Sequence, residues 1–210
     1  MKITKLGHCC MLIEEKNLRI LTDPGMYTTE QDDLKDIDVI LITHDHADHL
    51  HVESLKSIIK NNPDVKIFTN KTVGVNLGKE NISFELLEHG NNINVKSVII
   101  EAFGDKHAVI YPGIPQYANT GYFIAEKFFY PGDAFTDPKK YVDVLALPVA
   151  GPWLSIQEAI DYAILIKPKK CFPVHDGLLR KTGGSTHAIP IQVLTPLGIE
   201  FIVPDKPMKF

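Results

Sequence analysis

The sequence predicts an α+β fold in which two β-sheets pack face to face and helices cover their outer faces. Three observations carry this. Short apolar runs of strand length cluster in each half of the 210-residue chain, with helical patterns between them. Two of the runs, residues 37–42 and 142–147, are apolar at nearly every position, as a strand buried on both faces requires. Each is followed by a loop and a helix, over residues 37–60 and 142–166, so the middle of the chain holds a strand–loop–helix pseudo-repeat. Burying the apolar faces of both halves gives a four-layer sandwich.

The elements follow in order. Residues 3–6, 10–13 and 18–21 read as an early meander, with Asn17 in the tight turn between the second and third strands. After the 37–42 strand, residues 52–59 form a helix whose apolar face is Leu55, Ile58 and Ile59, and Pro63 closes it. A strand at 65–69 precedes a short helix at 72–77 ending at Gly78. Strands follow at 82–87 and 95–102, then a hairpin of 121–125 and 128–130 around Glu126-Lys127. After the 142–147 strand, Ser155-Ile156-Gln157-Glu158 is a capping box. It opens a helix with Ile156, Ala159, Ile160, Ala163 and Ile164 on its apolar face and Pro168 beyond its end. A strand at 171–174, a segment at 186–196 of helical pattern interrupted by Pro190, and a strand at 199–203 complete the chain.

Bulk properties bound the function. The length suits one domain, residues 1–210. Twenty-six acidic against 22 basic residues give a net charge of −4, which offers nucleic acid no long-range attraction. The local basic runs, Lys167-Pro168-Lys169-Lys170, Lys139-Lys140 and Arg180-Lys181, read as solvated loop ends. No run approaches the ~18 apolar residues of a membrane span, and the polar N-terminus lacks the apolar stretch of an export signal. Cys9, Cys10 and Cys171 form no even set, so no disulfide framework is expected; each reads as a small hydrophobe in a strand. A reduced, cytoplasmic protein is the expectation, with oligomeric state left open.

The chemistry lies in His44-Asp45-His46-Ala47-Asp48-His49, three imidazoles and two carboxylates in six residues, directly after a buried strand. Imidazole and carboxylate together suit zinc, iron or manganese. Two His at i and i+2 can close on one cation while the following Asp and His turn towards a second. If so, other acids and His should end other strands, and they do. The 18–21 strand leads to Asp23, 95–102 to Asp105 and His107, 128–130 to Asp133, and 171–174 to His175 and Asp176. Loops at one end of a sheet fold build sites in this way.

His44, His46, Asp48 and His49, followed in order by Gly132-Asp133 and His175, resemble the signature of the metallo-β-lactamase-fold superfamily. The match extends from Asp23 to His175, and Gly7-His8 resembles the opening of its short, ascorbate-6-phosphate-lactonase-like members. The resemblance implies an αββα arrangement of the four layers and two divalent metal ions, zinc first, with manganese or iron as alternatives. It implies His44, His46 and His107 at the first metal, with Asp105 as the substitute should His107 be absent. It further implies Asp48, His49 and His175 at the second, Asp133 as the bridge, and Asp23 orienting a ligating imidazole. His8, Asn119 and Trp153 are expected at the pocket or in structural roles, and the 111–119 loop over the metal mouth. His51, His89 and His187 read as structural or solvated.

The expected reaction is hydrolysis of a small lactone, ester, amide or phosphoester, with a metal-bound hydroxide as nucleophile and Asp48 as the catalytic carboxylate. Two rivals share the motif. A metal-dependent nuclease fits poorly with the net charge and the lack of room for an added domain. An iron-dependent redox enzyme of the persulfide dioxygenase kind keeps the same His-rich motif but uses a single iron.

Overall fold

The computed structural model describes residues 1–179, 185–204 and 207–210. Its first sheet is built from β1 (Lys2–Gly7), β2 (Cys10–Glu15), β3 (Leu18–Thr22), β4 (Val39–Ile42), β5 (Lys66–Thr69) and β6 (Glu85–Leu86). Helices α1 (Val52–Asn61) and α2 (Lys71–Lys79) follow β4 and β5. The second sheet takes β7 (Asn92–Val95), β8 (Val98–Phe103), β9 (Gly121–Ile124), β10 (Phe128–Tyr130), β11 (Val144–Pro148), β12 (Lys170–Val174) and β13 (Glu200–Phe201). Helix α3 (Ile156–Ile166) joins β11 to β12, and α4 (Ser185–Leu194), with Pro190 inside it, precedes β13. A last strand, β14 (Met208–Lys209), returns to the first sheet beside β1. The strand orders are β14-β1-β2-β3-β4-β5-β6 and β13-β12-β11-β10-β9-β8-β7.

Side-chain alternation explains the continuous apolar runs. Along β4, Val39 and Leu41 enter the core between the sheets, while Ile40 and Ile42 face outward against Leu55 and Ile58 of α1 and Val73 and Leu77 of α2. Along β11, Val144 and Ala146 face inward and Leu145 and Leu147 meet Ala159, Ile160, Ala163 and Ile166 of α3. Three apolar layers thus hold four structural ones, the predicted αββα sandwich. The Ser155–Glu158 capping box is formed as read from the sequence, and α3 ends on Lys167 in the left-handed conformation, φ 52°. No helix among the described residues is long and apolar enough to cross a membrane.

Several sequence readings need correction. The single strand expected at 95–102 is a hairpin of β7 and β8, because Lys96 and Ser97 adopt φ of 49° and 63° and reverse the chain. Neither residue type announces such a turn. Helix α2 runs through Gly78 to Lys79, and the strands expected at 82–87 and 199–203 shrink to two residues each. The buried face of α3 is rotated to include Tyr162 and Ile166, leaving Ile156 and Ile164 half-buried. Cys9 lies in the turn between β1 and β2, not in a strand. All three cysteines are free and buried. The Arg180-Lys181 run lies outside the described residues.

Strand direction places the site. In the first sheet β1, β3, β4 and β5 run the same way, since β1 and β3 each pair antiparallel with β2 and the others pair parallel. In the second, β8, β10, β11 and β12 share one direction by the same logic. The loops holding His8, Asp23, His44 to His49, His107, Asp133 and His175 each follow the C-terminal end of one of these strands. Sheets of this kind collect ligands outside those ends.

Candidate metal centre

Close backbone approach brings the loops together. Pro24-Gly25 passes so near the Asp48 carbonyl that a Cβ on Gly25 would lie 1.7 Å from its oxygen. Gly132 has φ +65°, and a Cβ there would meet Asn119 Oδ1 at 2.3 Å and Thr43 Cβ at 2.9 Å. Glycine at 132 therefore sets the turn that aims Asp133. His8, Asp23 and His175 also sit at positive φ, at 49°, 37° and 57°. Left-handed backbone turns the chain sharply there, and Asp and His adopt it more readily than most residues.

Two ligand groups result. His44, His46, His107 and Asp133 present one nitrogen or oxygen each, all within 4.8 Å of one another, and so do His8, Asp48, His49 and His175. Asp133 joins them. Its Oδ1 is 3.2 Å from His49 Nε2, and its Oδ2 is 2.9 Å from His175 Nε2, 3.4 Å from His107 Nε2 and 3.8 Å from His44 Nε2. Asp48 Oδ2 lies 3.3 Å from His175 Nε2 and 3.8 Å from His49 Nε2.

The far ring nitrogens are anchored. His49 Nδ1 donates to Asp23 Oδ2 at 2.8 Å, His107 Nδ1 to the Ala108 carbonyl at 2.6 Å, and His175 Nδ1 to the Ala150 carbonyl. Thr43 Oγ1 spends its proton on Asp23 Oδ2 at 2.7 Å, so it accepts from His44 Nδ1 at 3.0 Å. Asp23 is itself fixed by the Thr43 amide at 2.8 Å and by the Tyr130 hydroxyl. These bonds select the tautomer that turns an Nε2 lone pair inward when each ring is neutral.

The inward atoms fit cations. His49 Nε2, His107 Nε2 and Asp133 Oδ1 are buried without a hydrogen-bond partner, and a buried polar atom left so is costly unless something else binds it. Protonation follows the same demand for positive charge. Burial opposes a carboxylate at Asp133, but His49, His107 and His175 hold it well below its ordinary range. Burial opposes imidazolium at His175, but Asp133 and Asp48 push it up to about 10. At His49 burial likewise works downward, and Asp133 and Asp23 lift it well above its usual value. At His44 and His46 burial and the neighbouring imidazoles outweigh Asp133 and hold both below their usual value. The donor set, imidazole with carboxylate, is that of zinc, iron or manganese.

His107 enters the first group, 1% exposed, whereas Asp105 is solvent-facing and uses its carbonyl on the Asn119 amide, so the Asp105 alternative falls away. Asn119 is fully buried and its side chain is engaged within the protein. Its Nδ2 donates to the Pro131 carbonyl at 2.8 Å and its Oδ1 accepts the Asp133 amide at 3.0 Å, which clamps the Asp133 loop. Trp153 is a wall whose Nε1 donates to Asp133 Oδ2 at 3.1 Å. Tyr117, in the 111–119 loop, sets its ring edge-to-face against His46, with centroids 4.4 Å apart. His51 precedes α1 and bonds Ser54, His89 accepts the Gly104 amide, and His187 on α4 lies 3.9 Å from Asp176. Sequence reading missed Thr43, Tyr130 and Gly177, which are joined to the site by contacts between distant segments. It also missed Cys9, whose sulfur groups with His49 and Asp133. Its place directly after His8 was the available signal.

Comparison with known proteins identifies the family and the fold. Residues 2–175 match the family model described as the beta-lactamase superfamily domain. The chain is similar to a UPF0173 protein of Pyrococcus furiosus, 31% identical over 84% of each chain. It is also similar to a UPF0173 metal-dependent hydrolase of Methanocaldococcus jannaschii, 26% identical over 96% of each. Among solved structures, Igni18, a novel metallo hydrolase from Ignicoccus hospitalis, shares the fold at a TM-score of 0.76 and 20% identity, covering 100% of this chain and 98% of that one.

Proposed function

Because the chain belongs to the β-lactamase superfamily and, within it, to the UPF0173 group of metal-dependent hydrolases, we propose that it hydrolyses a small lactone, ester, amide or phosphoester with two divalent cations, zinc foremost. His44, His46 and His107 hold the first, and Asp48, His49 and His175 the second. Asp133 serves both. The observation that carries this is the Asp133 carboxylate standing between the two ligand groups, with Oδ2 near His107 and His44 of the first and His175 of the second, and Oδ1 near His49 of the second. Cations bound there supply polarisation of the scissile group and a water acidified towards neutral pH.

The protein's own contribution is positioning. Asp23, Thr43 and the Ala108 and Ala150 carbonyls fix the imidazoles through Nδ1, and Trp153 and Asn119 fix Asp133. Asp48, with a side chain 21% exposed against 3% or less for His44, His49, His107, His175 and Asp133, is the carboxylate that reaches substrate. Burial opposes its charge, but His175 and His8 hold it well below its ordinary range, so it stays ionised and can orient an attacking water. Tyr27, beside His8, and Tyr117, beside His46, are partly exposed at the rim and offer apolar contact to the substrate body. A groove of about 510 Å³ adjoins His107 and Trp153, room for a small molecule.

The test is a panel of lactones, esters, amides and phosphoesters, assayed with the purified protein, after chelation, and after return of zinc or manganese. Turnover that chelation removes and metal restores is expected for at least one class. A reconstituted protein inert towards all of them contradicts the proposal.

A further inference from the structure

Four imidazoles of the site, those of His44, His49, His107 and His175, are anchored through Nδ1; His8 is the reverse. It sits in the turn between β1 and β2, 3% exposed. The backbone amide of Gly177 donates to its Nδ1 at 3.0 Å. A backbone N–H can only donate, so Nδ1 carries the lone pair and the ring proton is on Nε2. That Nε2–H points at Asp48 Oδ2, 3.0 Å away. A nitrogen bearing a proton has no lone pair for a cation. His8 therefore stands among ligand atoms with the wrong tautomer for a ligand and the right one for a donor.

The arrangement is built rather than incidental. A Cβ on Gly177 would lie 2.9 Å from His8 Nδ1, so glycine is what lets that amide reach the ring. The His8 carbonyl in turn accepts the His175 amide at 3.3 Å. The turn after β1 and the turn after β12 thus hold each other, and the His8 ring reaches across to the loop after β4. From this we infer that His8 is a positioning residue of the second cation site. It ties Asp48 to the His175 turn, using one lone pair of Asp48 Oδ2 and leaving the rest of the carboxylate for the cation. The inference rests on Asp48, His49 and His175 being ligands.

Three substitutions separate the possibilities. His8→Gln keeps a donor at the reach of Nε2, His8→Asn keeps an acceptor for Gly177 but falls short of Asp48, and His8→Ala keeps neither. Zinc affinity is measured on the intact protein by competition with a chromophoric chelator. Loss of the partner that orients a ligand weakens binding by about 10–100-fold, so that fall is expected at the second zinc in His8→Ala and His8→Asn, with His8→Gln within about threefold of wild type and the first zinc unchanged throughout. Should His8→Ala fail to fold, the contrast between Gln and Asn decides. Wild-type affinity in both His8→Ala and His8→Asn overturns the inference. Equal weakness of Gln and Asn also overturns it, since a donor would then not suffice and the ring itself would be required. A wild-type protein that takes up no second zinc overturns the two-cation reading beneath it, an outcome visible before any variant is made.

Discussion

The two ends of β4 carry opposite kinds of charge. At its N-terminal end, Asp38 takes Lys96 Nζ at 2.6 Å and the Arg19 amide at 2.9 Å, while Arg19 Nη1 meets Glu14 at 2.8 Å. Those groups are partly exposed and paired with one another, around a groove of about 590 Å³ lined by Asn17, Asn62 and Lys66 among others. At the C-terminal end, His44, His49 and Asp133 are buried and His46 and Asp48 half-buried, imidazoles crowd together, and His49 Nε2, His107 Nε2 and Asp133 Oδ1 make no hydrogen bond. The N-terminal groove is larger than the 510 Å³ one beside His107. Cavity size alone would have pointed to the wrong end. Partly exposed charges that pair with one another belong to the surface, whereas buried imidazoles and carboxylates converging on one small volume are arranged for something that comes in.

Breaking the C-terminal end should have the largest effect. Asp133→Asn removes the charge that both ligand groups face. Turnover is expected to fall on the order of 10³-fold, the scale of a lost electrostatic group in an active site, and bound metal with it. Steady-state rates and elemental analysis of the variant check this. Gly132→Ala keeps every ligand residue but presses on Asn119 and Thr43 and misaims Asp133. Its strained φ should cost about 1–3 kcal/mol in denaturant unfolding, and the displaced carboxylate about 10–100-fold in metal affinity.

These positions also mark what the sequence could and could not convey. The His44 to His49 cluster, Asp133 and His175 were legible because each closes an apolar strand, and strand ends are read from local pattern. The four layers were legible because β4 and β11 are apolar on both faces. The β7–β8 hairpin was not, since its turn uses Lys96 and Ser97 where Gly or Asn would have signalled it. The edge strand β14 is two residues long and exists only through its pairing with β1. The Tyr130–Asp23 bond and the His8–Gly177 bond join residues 107 and 169 positions apart, and no local pattern encodes such contacts.

A smaller effect sharpens the comparison from the core. Burial pushes the Cys171 thiol up to about 12 from 9.0. A thiol whose folded pKa is raised adds stability below its unfolded pKa, and that contribution is lost as pH climbs from about 9 towards 12. Alkaline unfolding curves of Cys171→Ala should therefore slope less steeply over that window than those of the wild type, and Cys171 should resist alkylation until denaturant is added. The smallest effect belongs to the N-terminal end of β4. Lys96→Ala breaks an exposed pair and should change stability by no more than about 1 kcal/mol, with turnover unaltered. A large loss of turnover there would undo the contrast between the two ends.

We propose that the C-terminal end of the strands is built around two cations. The measurement that tests it most directly is metal content per chain of the freshly purified protein, by elemental mass spectrometry. About two zinc or manganese ions per chain is the predicted result. No bound metal, before or after reconstitution, would contradict the account.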